Sequence, residues 1–473
     1  MLFSSFGWSF LAELISKSVT PVVFLTLTYL LGPESFGIMA LAVMVVSFSQ
    51  IFVEGGLGRA LIHWAGNLEH GANTVFLCNL LVAFTVVIIL NLVAPYLANI
   101  VFGDPRLVDV IRVISVAVFA SGFTNVHLHL MQKQMNFKRV FAVRLGATVV
   151  PGIISVPIAY LGGDYWGLVY GYVLGQIVQG VLAVSLSGWS PQWYIHPETL
   201  RRLWKFGVWC IVTSLLGWLV VWSDSLILGI KLSARELGIY NVGQQSASIF
   251  FAVIISPAMP VLYSYFSMQS ESKVYLRNNI SQIIIITAWI ALPFGVFTYI
   301  FADIVVEFLF SDKWLGLAGI LSFLVLRQAF ASITAICGEA YRSIGKPSYE
   351  TMMLFIAVCI GIPIYIFAVN DGLQSLALSK FYFVLFTLFL HLLLLKRVFK
   401  LNFFQLVKNL IFIFALSYMV ATGLSYVLDK FDPRILTKLA SLVVVYLIFM
   451  VTMVKLNASL SPIRNQITKL LFR

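Results

Sequence analysis

Residues 29–59 read YLLGPESFGIMALAVMVVSFSQIFVEGGLGR and join the end of one apolar run to the start of the next. The connection lies at Gly32 and Pro33. Pro33 suits the first position of a helix because its missing N–H would have no intrahelical partner there, and Glu34 is favourably placed near the positive end of the helix dipole. The stretch therefore predicts the turn of a helical hairpin.

The same pattern returns in the second half of the chain. Residues 31–38 (LGPESFGI) align with residues 232–239 (LSARELGI), about 200 residues later, a separation far longer than a solenoid period. Ser233 and Glu236 have the spacing of a capping box before an apolar run. We interpret the chain as two half-chains that share an opening hairpin, with chance similarity of an eight-residue turn as the alternative.

The composition predicts the class of protein. Of 473 residues, 60% are hydrophobic and only 11% are charged, whereas soluble domains carry about 25% charged residues. A soluble protein could not bury so much apolar surface, so we predict an all-α polytopic membrane protein. The net charge of +12 would suggest a nucleic-acid partner in a soluble protein. Here Lys and Arg are instead interpreted by their position relative to the apolar runs, and no nucleic acid is expected.

The apolar runs predict about fourteen transmembrane helices, or twelve if two short runs have been oversplit. The longest polar link, residues 187–202, is the predicted lobe boundary. We predict an N-terminal six-helix lobe (1–190), a C-terminal six-helix lobe (191–396), and two additional helices with a basic cytoplasmic tail (397–473). The runs are 6–31, 35–58, 73–102, 107–131, 138–161, 165–188, 203–230, 235–267, 278–310, 315–340, 349–369, 372–395, 404–428 and 435–455.

Lys and Arg collect in alternate loops, which predicts the orientation. Arg139, Lys205 and Lys400 belong to one set of loops, whereas the opposite loops carry mostly aspartates such as Asp104 and Asp164. Both termini are therefore expected to face the cytoplasm. Six helices, an even number, separate the two hairpin copies, so the repeats should lie parallel and be related by a pseudo-twofold axis along the membrane normal.

Three stretches resemble a known family. They are LGPESFGI after the first apolar run, the Gly-rich end of the second run, and residues 222–229 (WSDSLILG) followed by 237–241 (LGIYN). Together they resemble the polysaccharide-precursor flippases of the multidrug/oligosaccharidyl-lipid/polysaccharide exporter superfamily. The resemblance implies two lobes around a central cavity, alternating access, and translocation of an undecaprenyl-diphosphate-linked oligosaccharide from the cytoplasmic to the periplasmic leaflet.

The resemblance also implies the setting. Such a protein would lie in the bacterial cytoplasmic (inner) membrane and serve the synthesis of O-antigen, capsule or exopolysaccharide. Its partners would be the lipid-linked oligosaccharide, membrane lipids, a polysaccharide polymerase and a chain-length regulator. No cofactor is expected, although H⁺ or Na⁺ coupling is compatible with the sequence.

Charged and polar residues inside the apolar runs are the candidates for function, because each charge at a helix centre costs about 2.5–3.5 kcal/mol on insertion scales. Glu13 and Lys17 are four residues apart and share one helix face; they line a cavity or neutralise each other within the bundle. Asp224 is flanked by serines and is a candidate for ion coupling. The alternative is that it makes a structural hydrogen bond to a neighbouring helix. Arg327 is favoured for a diphosphate because its planar guanidinium matches phosphate oxygens. The substrate-contact candidates are Arg327, Lys380, Lys17, Tyr240 and Asn241, and the ion-coupling candidates are Glu13, Asp224 and Glu339.

Two other functions were compared with the flippase. A multidrug/cation antiporter of the same superfamily would be favoured by acidic rather than cationic residues in the cavity. A membrane glycan polymerase or ligase typically needs a sizeable extracytoplasmic loop for catalysis, and no polar loop here exceeds about 20 residues. No metal, nucleophile or phosphate-binding Gly-rich motif is visible. The sequence therefore predicts a transporter rather than an enzyme.

Overall fold

The computed structural model describes residues 19–64, 66–255, 258–268, 273–431 and 444–446, and the regular structure in these ranges is helical. The helices are α1 (Val19–Leu30), α2 (Pro33–Glu54), α3 (Leu57–His63), α4 (Leu68–Tyr96), α5 (Leu107–Lys133), α6 (Phe137–Tyr160), α7 (Tyr165–Ser187), α8 (Pro197–Lys231), α9 (Ala234–Ile254), α10 (Ala258–Met268), α11 (Lys273–Ile300), α12 (Ala302–Leu309), α13 (Leu317–Ser343), α14 (Ser348–Ala368), α15 (Leu373–Phe399) and α16 (Phe403–Phe431). A π-helical turn, Leu97–Val101, extends α4.

Within the described residues, eleven helical segments are long and apolar enough to cross a membrane. The predicted all-α, multi-pass membrane architecture is confirmed. The first predicted run (6–31) is described only from residue 19, and the last (435–455) only at residues 444–446. Two predicted single spans are wrong as continuous helices: 235–267 is divided into α9 and α10, and 278–310 into α11 and α12. Between α9 and α10 the sequence carries Pro257, a helix breaker that hydropathy does not register, whereas no Gly or Pro separates α11 from α12.

The chain forms two compact units, Met1–Asn241 and Val242–Arg473. The first contains α1 to α8 and the opening turns of α9. In the second, α13 packs against α11 and α15, and α11 packs against α16. Both units are built from apolar faces in contact, as expected for a membrane bundle. The proposed lobe boundary between residues 190 and 191 stays a prediction.

The predicted hairpin turn lies at the start of α2, which begins at Pro33 with Glu34 in its first turn. Glu34 accepts a hydrogen bond of 2.6 Å from the Arg106 guanidinium, which also donates to Asp104. The hydroxyl of Ser35 donates to Asp164. These contacts tie three turns of the first unit together. Partial burial acts to raise the pKa of Asp104, but the side-chain and backbone hydrogen bonds from Arg106 outweigh it and hold that pKa below its usual value.

The predicted capping box is present at the start of α9. The backbone N–H of Glu236 donates to Ser233 Oγ at 3.3 Å, and the Glu236 carboxylate accepts from the backbone N–H of Ser233 at 3.0 Å. Each side chain satisfies a backbone donor that the helix leaves without an intrahelical partner. The second copy of the hairpin therefore starts its helix with side-chain caps, where the first copy uses proline.

The two aligned glycines, Gly37 and Gly238, lie where α2 and α9 cross. A Cβ added to Gly37 would lie 1.7 Å from the carbonyl oxygen of Ala234, and one added to Gly238 would lie 1.7 Å from that of Pro33. The sequence alignment pairs Pro33 with Ala234, so the contact is reciprocal between equivalent residues. Only glycine permits backbones to approach this closely.

A second close approach joins α8 to the break between α2 and α3. Gly55 and Gly56 have φ angles of 51° and 66°, a backbone conformation that favours glycine. A Cβ on Gly56 would lie 2.6 Å from the carbonyl oxygen of Gly207 on α8. The Lys133 ammonium caps the far end of α3, donating to three backbone carbonyls at 2.6 to 3.0 Å. The Gly-rich end noted in the sequence thus turns the chain and receives α8.

The crossing predicts the effect of adding one methyl group. Gly37→Ala and Gly238→Ala should each lower the free energy of unfolding by about 1–3 kcal/mol, because a backbone carbonyl must move. Gly217→Ala, also in a helix but with no atom within 4 Å of the added Cβ, is the matched control. It should be neutral or stabilising, since alanine favours helix by up to about 1 kcal/mol. Thermal unfolding of the purified variants measures the difference, and equal melting temperatures for all three would contradict the geometry.

Candidate functional site

Asp224 and Tyr240 form a buried polar pair in the first unit. Asp224 is 1% exposed and Tyr240 is fully buried. The Tyr240 hydroxyl donates to Asp224 Oδ2 at 2.6 Å, and the backbone N–H of Ser225 donates to Oδ1 at 2.6 Å. The two residues meet because α8 and α9 are joined by a short turn and each residue lies about two helical turns from it. The structure therefore brings together two of the predicted site residues.

The burial and hydrogen bonds of Asp224 determine which ligand its carboxylate can bind. A buried carboxylate is stable only when it is hydrogen-bonded or neutralised. An ionised carboxylate accepts about four hydrogen bonds, so a proton or a small cation is the ligand that this group suits. The predicted structural alternative, a hydrogen bond to a neighbouring helix, is also present. The Tyr240 hydroxyl is committed to Asp224 in this conformation, so Tyr240 orients the carboxylate.

Polar residues continue along α9 beyond Tyr240. Asn241 is half-buried, and its amide donates to the carbonyl of Leu237 in its own helix at 3.1 Å. Gln244 Oε1 and Ser246 Oγ are buried and have no hydrogen-bond partner within the described part of the chain. Such atoms normally meet water or a ligand. The sequence analysis missed both, although the polar stretch 241–248 (NVGQQSAS) inside an apolar run was the available signal.

Arg327 and Glu339 both lie on α13 but have different surroundings. Arg327 is half-buried, and its Nη1 donates to the Gln328 side chain at 3.0 Å. Glu339 is buried and forms an ion pair with Arg342 at 3.0 Å, and Arg342 reaches Glu350 on α14 at 3.0 Å. The Glu339 carboxylate therefore belongs to an ion-pair network that joins two helices. Arg327 forms no ion pair within the described residues.

Lys380 is 4% exposed, although it is a lysine within a membrane-spanning helix. Its ammonium lies 5.7 Å from the centroid of the Tyr365 ring on α14. A cation over an aromatic face is attracted by the ring quadrupole, and the attraction grows when water is excluded. Tyr365 is held in turn by an edge contact with Phe383 at 5.9 Å. The sequence analysis selected Lys380 but not Tyr365, which looked like an ordinary aromatic residue of an apolar run.

The remaining predicted residues are Glu13 and Lys17, which lie outside the described residues. Their predicted pairing and their roles stay predictions. Among the described residues, no group of three or more His, Cys, Asp or Glu side chains is arranged to hold a metal ion. Each described candidate charge thus has its own partner within its own compact unit.

The fold is similar to those of two solved membrane proteins. It matches the structure of the lipid II flippase MurJ in an inward closed conformation with a TM-score of 0.79, at 14% identity, over 95% of this chain and 98% of that one. It also matches an inward-facing multidrug resistance transporter of the MATE family, a member of the MOP superfamily, with a TM-score of 0.65 at 14% identity, over 83% of this chain and 96% of that one. At such identity the likeness shows the fold alone.

The sequence identifies the family of the chain. A family model described as "Polysaccharide biosynthesis protein" matches residues 26–319, and the chain belongs to this family. The resemblance to polysaccharide-precursor flippases is confirmed, as is the prediction of a transporter family rather than an enzyme family.

Three curated relatives are similar to this chain. The succinoglycan biosynthesis transport protein ExoT of Rhizobium meliloti is 22% identical over 68% of this chain and 65% of its own length. The teichuronic acid biosynthesis protein TuaB of Bacillus subtilis is 21% identical over 59% and 58%, and the lipopolysaccharide biosynthesis protein WzxC of Escherichia coli is 19% identical over 69% and 66%. The matches thus span 58% to 66% of the length of these proteins, which is less than two thirds of each.

The Asp224–Tyr240 pair predicts non-additive substitutions. Tyr240→Phe should lower the free energy of unfolding by about 1–3 kcal/mol, because it removes a donor from a buried carboxylate. In an Asp224→Asn background the same substitution should cost less, since the buried charge is gone. Tyr382→Phe, on the exposed side of α15, is the matched control and should have no effect. Thermal unfolding of the four variants of the cycle measures the coupling, and additive losses would refute it.

Proposed function

We propose that this protein is a flippase that moves an undecaprenyl-diphosphate-linked oligosaccharide from the cytoplasmic to the outer leaflet during synthesis of O-antigen, capsule or exopolysaccharide. The observation that carries the proposal is membership of the polysaccharide biosynthesis family over residues 26–319. The names of the relatives, which include a succinoglycan biosynthesis transport protein, support it. The lipid-linked oligosaccharide is the proposed substrate, and a polymerase and a chain-length regulator are the proposed partners.

The proposed architecture is two parallel, pseudo-twofold-related six-helix lobes around a central cavity, with the last two of about fourteen helices additional. The reciprocal approach of Gly37 and Gly238 supports it. In a contact on a twofold axis, residue i meets j and the equivalent of j meets the equivalent of i, which is the pattern formed by Gly37 with Ala234 and by Gly238 with Pro33. Residues 1–190, 191–396 and 397–473 remain the proposed divisions, with both termini in the cytoplasm.

Transport would follow alternating access. Rocking of one lobe against the other would open the cavity to the cytoplasm, close it over the headgroup, and then open it outward. A shift of the two-state population from 1:99 to 99:1 needs about 5.5 kcal/mol of differential binding. Asp224 is the proposed group for H⁺ or Na⁺ coupling among the described residues, because it is a buried carboxylate that accepts a hydrogen bond from Tyr240 on the adjacent helix. Glu13 and Glu339 are the further candidates.

The charge of the substrate separates this proposal from its rival. A diphosphate headgroup requires cations, and the described interior offers the half-buried Arg327 and the buried Lys380. Arg327 uses one of its five N–H donors on Gln328, which leaves donors in the fork that matches phosphate oxygens. A multidrug/cation antiporter would share the fold, as the MATE match illustrates. For that function these two cations would repel the substrate.

Substitution of Arg327 tests the proposed headgroup contact. In cells that depend on this gene for surface polysaccharide, Arg327→Ala should reduce export at least about tenfold, the loss expected when a charge-assisted hydrogen bond of 1.5–3 kcal/mol is removed. Export by Arg327→Lys should fall between that of the wild type and that of Arg327→Ala, because lysine retains the charge but lacks the planar guanidinium. Arg112→Ala, which removes an exposed arginine paired with Asp109, should leave export unchanged. Polysaccharide is measured at the cell surface, with immunoblots to verify membrane insertion.

Full export by an Arg327→Ala variant that inserts normally would remove Arg327 from the mechanism. Export that survives deletion of the gene itself would overturn the flippase proposal as well.

A further inference from the structure

Helix α8 is longer than a membrane is thick. It runs from Pro197 to Lys231, and 35 residues at a rise of 1.5 Å give about 52 Å, against about 30 Å for the hydrocarbon core. Its apolar membrane-spanning part begins only at Gly207. The first ten residues, 197–206, therefore form a helical extension beyond the apolar span.

One face of this extension is fixed to the first unit. Leu203 is buried in a hydrophobic cluster with residues of α3, α4 and α5. The linker that leads into α8 is tied to α4 by two hydrogen bonds: the N–H of Gln192 donates to Asn73 at 2.8 Å, and the N–H of His196 donates to Thr74 at 3.0 Å. The extension is therefore held in one orientation rather than attached by a free tether.

The opposite face is exposed, and it is both basic and aromatic. Arg201, Arg202 and Lys205 are exposed, and Trp204 and Trp209 are 51% and 72% exposed. Positions 201, 205 and 209 follow the i, i+4 spacing that puts side chains on one side of a helix. We call these five residues the basic–aromatic face.

The side-chain cations of this face have no internal partner among the described residues. Within the described part of the chain, Arg201, Arg202 and Lys205 form no ion pair or hydrogen bond. The nearby acid on the same helix, Glu198, is exposed and pairs with none of them. Like charges three and four residues apart disfavour a helix. An anion supplied from outside the chain would remove this repulsion.

We propose that the basic–aromatic face binds the headgroups of anionic phospholipids in the adjacent leaflet. Tryptophan rings prefer the level of the headgroups, and clustered Lys and Arg next to a membrane span attract anionic lipid. The five side chains lie along one side of a single helix over about two turns, which suits a lipid surface rather than one enclosed substrate. The extension would thereby be fixed to the membrane on one face and to the protein on the other. This proposal stands whether or not the protein is a flippase.

A lipid titration tests the proposal. The full-length protein in detergent is titrated with phosphatidylglycerol or phosphatidylcholine, and the melting temperature is followed. Phosphatidylglycerol should raise the melting temperature, and the midpoint of that titration should move about a hundredfold higher in R201Q/R202Q/K205Q, since each of the three cations near a surface contributes about fivefold. Lys205→Gln alone should move the midpoint about fivefold, and R201K/R202K should behave as wild type because it keeps the charge.

The control variant is K396Q/R397Q/K400Q, which removes three cations from the end of α15 and should keep the phosphatidylglycerol response. An equal loss in this control would mean that net charge alone is responsible and would overturn the site. A wild-type protein that does not respond to phosphatidylglycerol would also overturn it. So would a triple variant that loses only the response to added undecaprenyl diphosphate, because the face would then bind substrate.

Discussion

The α2–α9 crossing at Gly37 and Gly238 is a steric constraint of the first unit that admits only glycine. Each glycine receives a backbone carbonyl from the residue that begins the other helix, at a distance that leaves no room for a Cβ. Membrane helices gain little from the hydrophobic effect because lipid is as apolar as they are, so such close backbone packing is a main source of their association. The two hairpin turns therefore meet in one close backbone contact. Moving α2 and α9 apart at this point would break that contact.

Charges buried in the bundle form the second constraint, and two of them depend on a tyrosine in different ways. Asp224 receives a hydrogen bond from the hydroxyl of Tyr240, whereas the Lys380 ammonium lies over the ring face of Tyr365. One tyrosine offers a donor to an anion, and the other offers π-electron density to a cation. Each pairing thus stabilises a buried charge within its own compact unit.

The starts of α2 and α9 were predictable from local sequence, whereas the pairing of buried charges depends on contacts between distant segments. Pro33 at the start of α2 and the Ser233–Glu236 box follow from helix-end chemistry, which acts within four residues. The pairing of Tyr365 with Lys380 could not be predicted, because it depends on how α14 and α15 face each other. The break between α11 and α12 lies in a stretch that stays apolar and has no Gly or Pro, so nothing local marks it, whereas Pro257 between α9 and α10 was an available signal.

The central claim, that this protein carries a lipid-linked anionic glycan across a bilayer, is tested most directly by reconstitution. Purified protein in liposomes is supplied with undecaprenyl-diphosphate-linked oligosaccharide in one leaflet, and a glycan-modifying enzyme that cannot cross the bilayer reports its arrival in the other. The account predicts translocation faster than in protein-free liposomes, and slower with Arg327→Ala than with Arg112→Ala. Translocation no faster than in protein-free liposomes, together with uptake of a cationic drug by the same preparation, would contradict it.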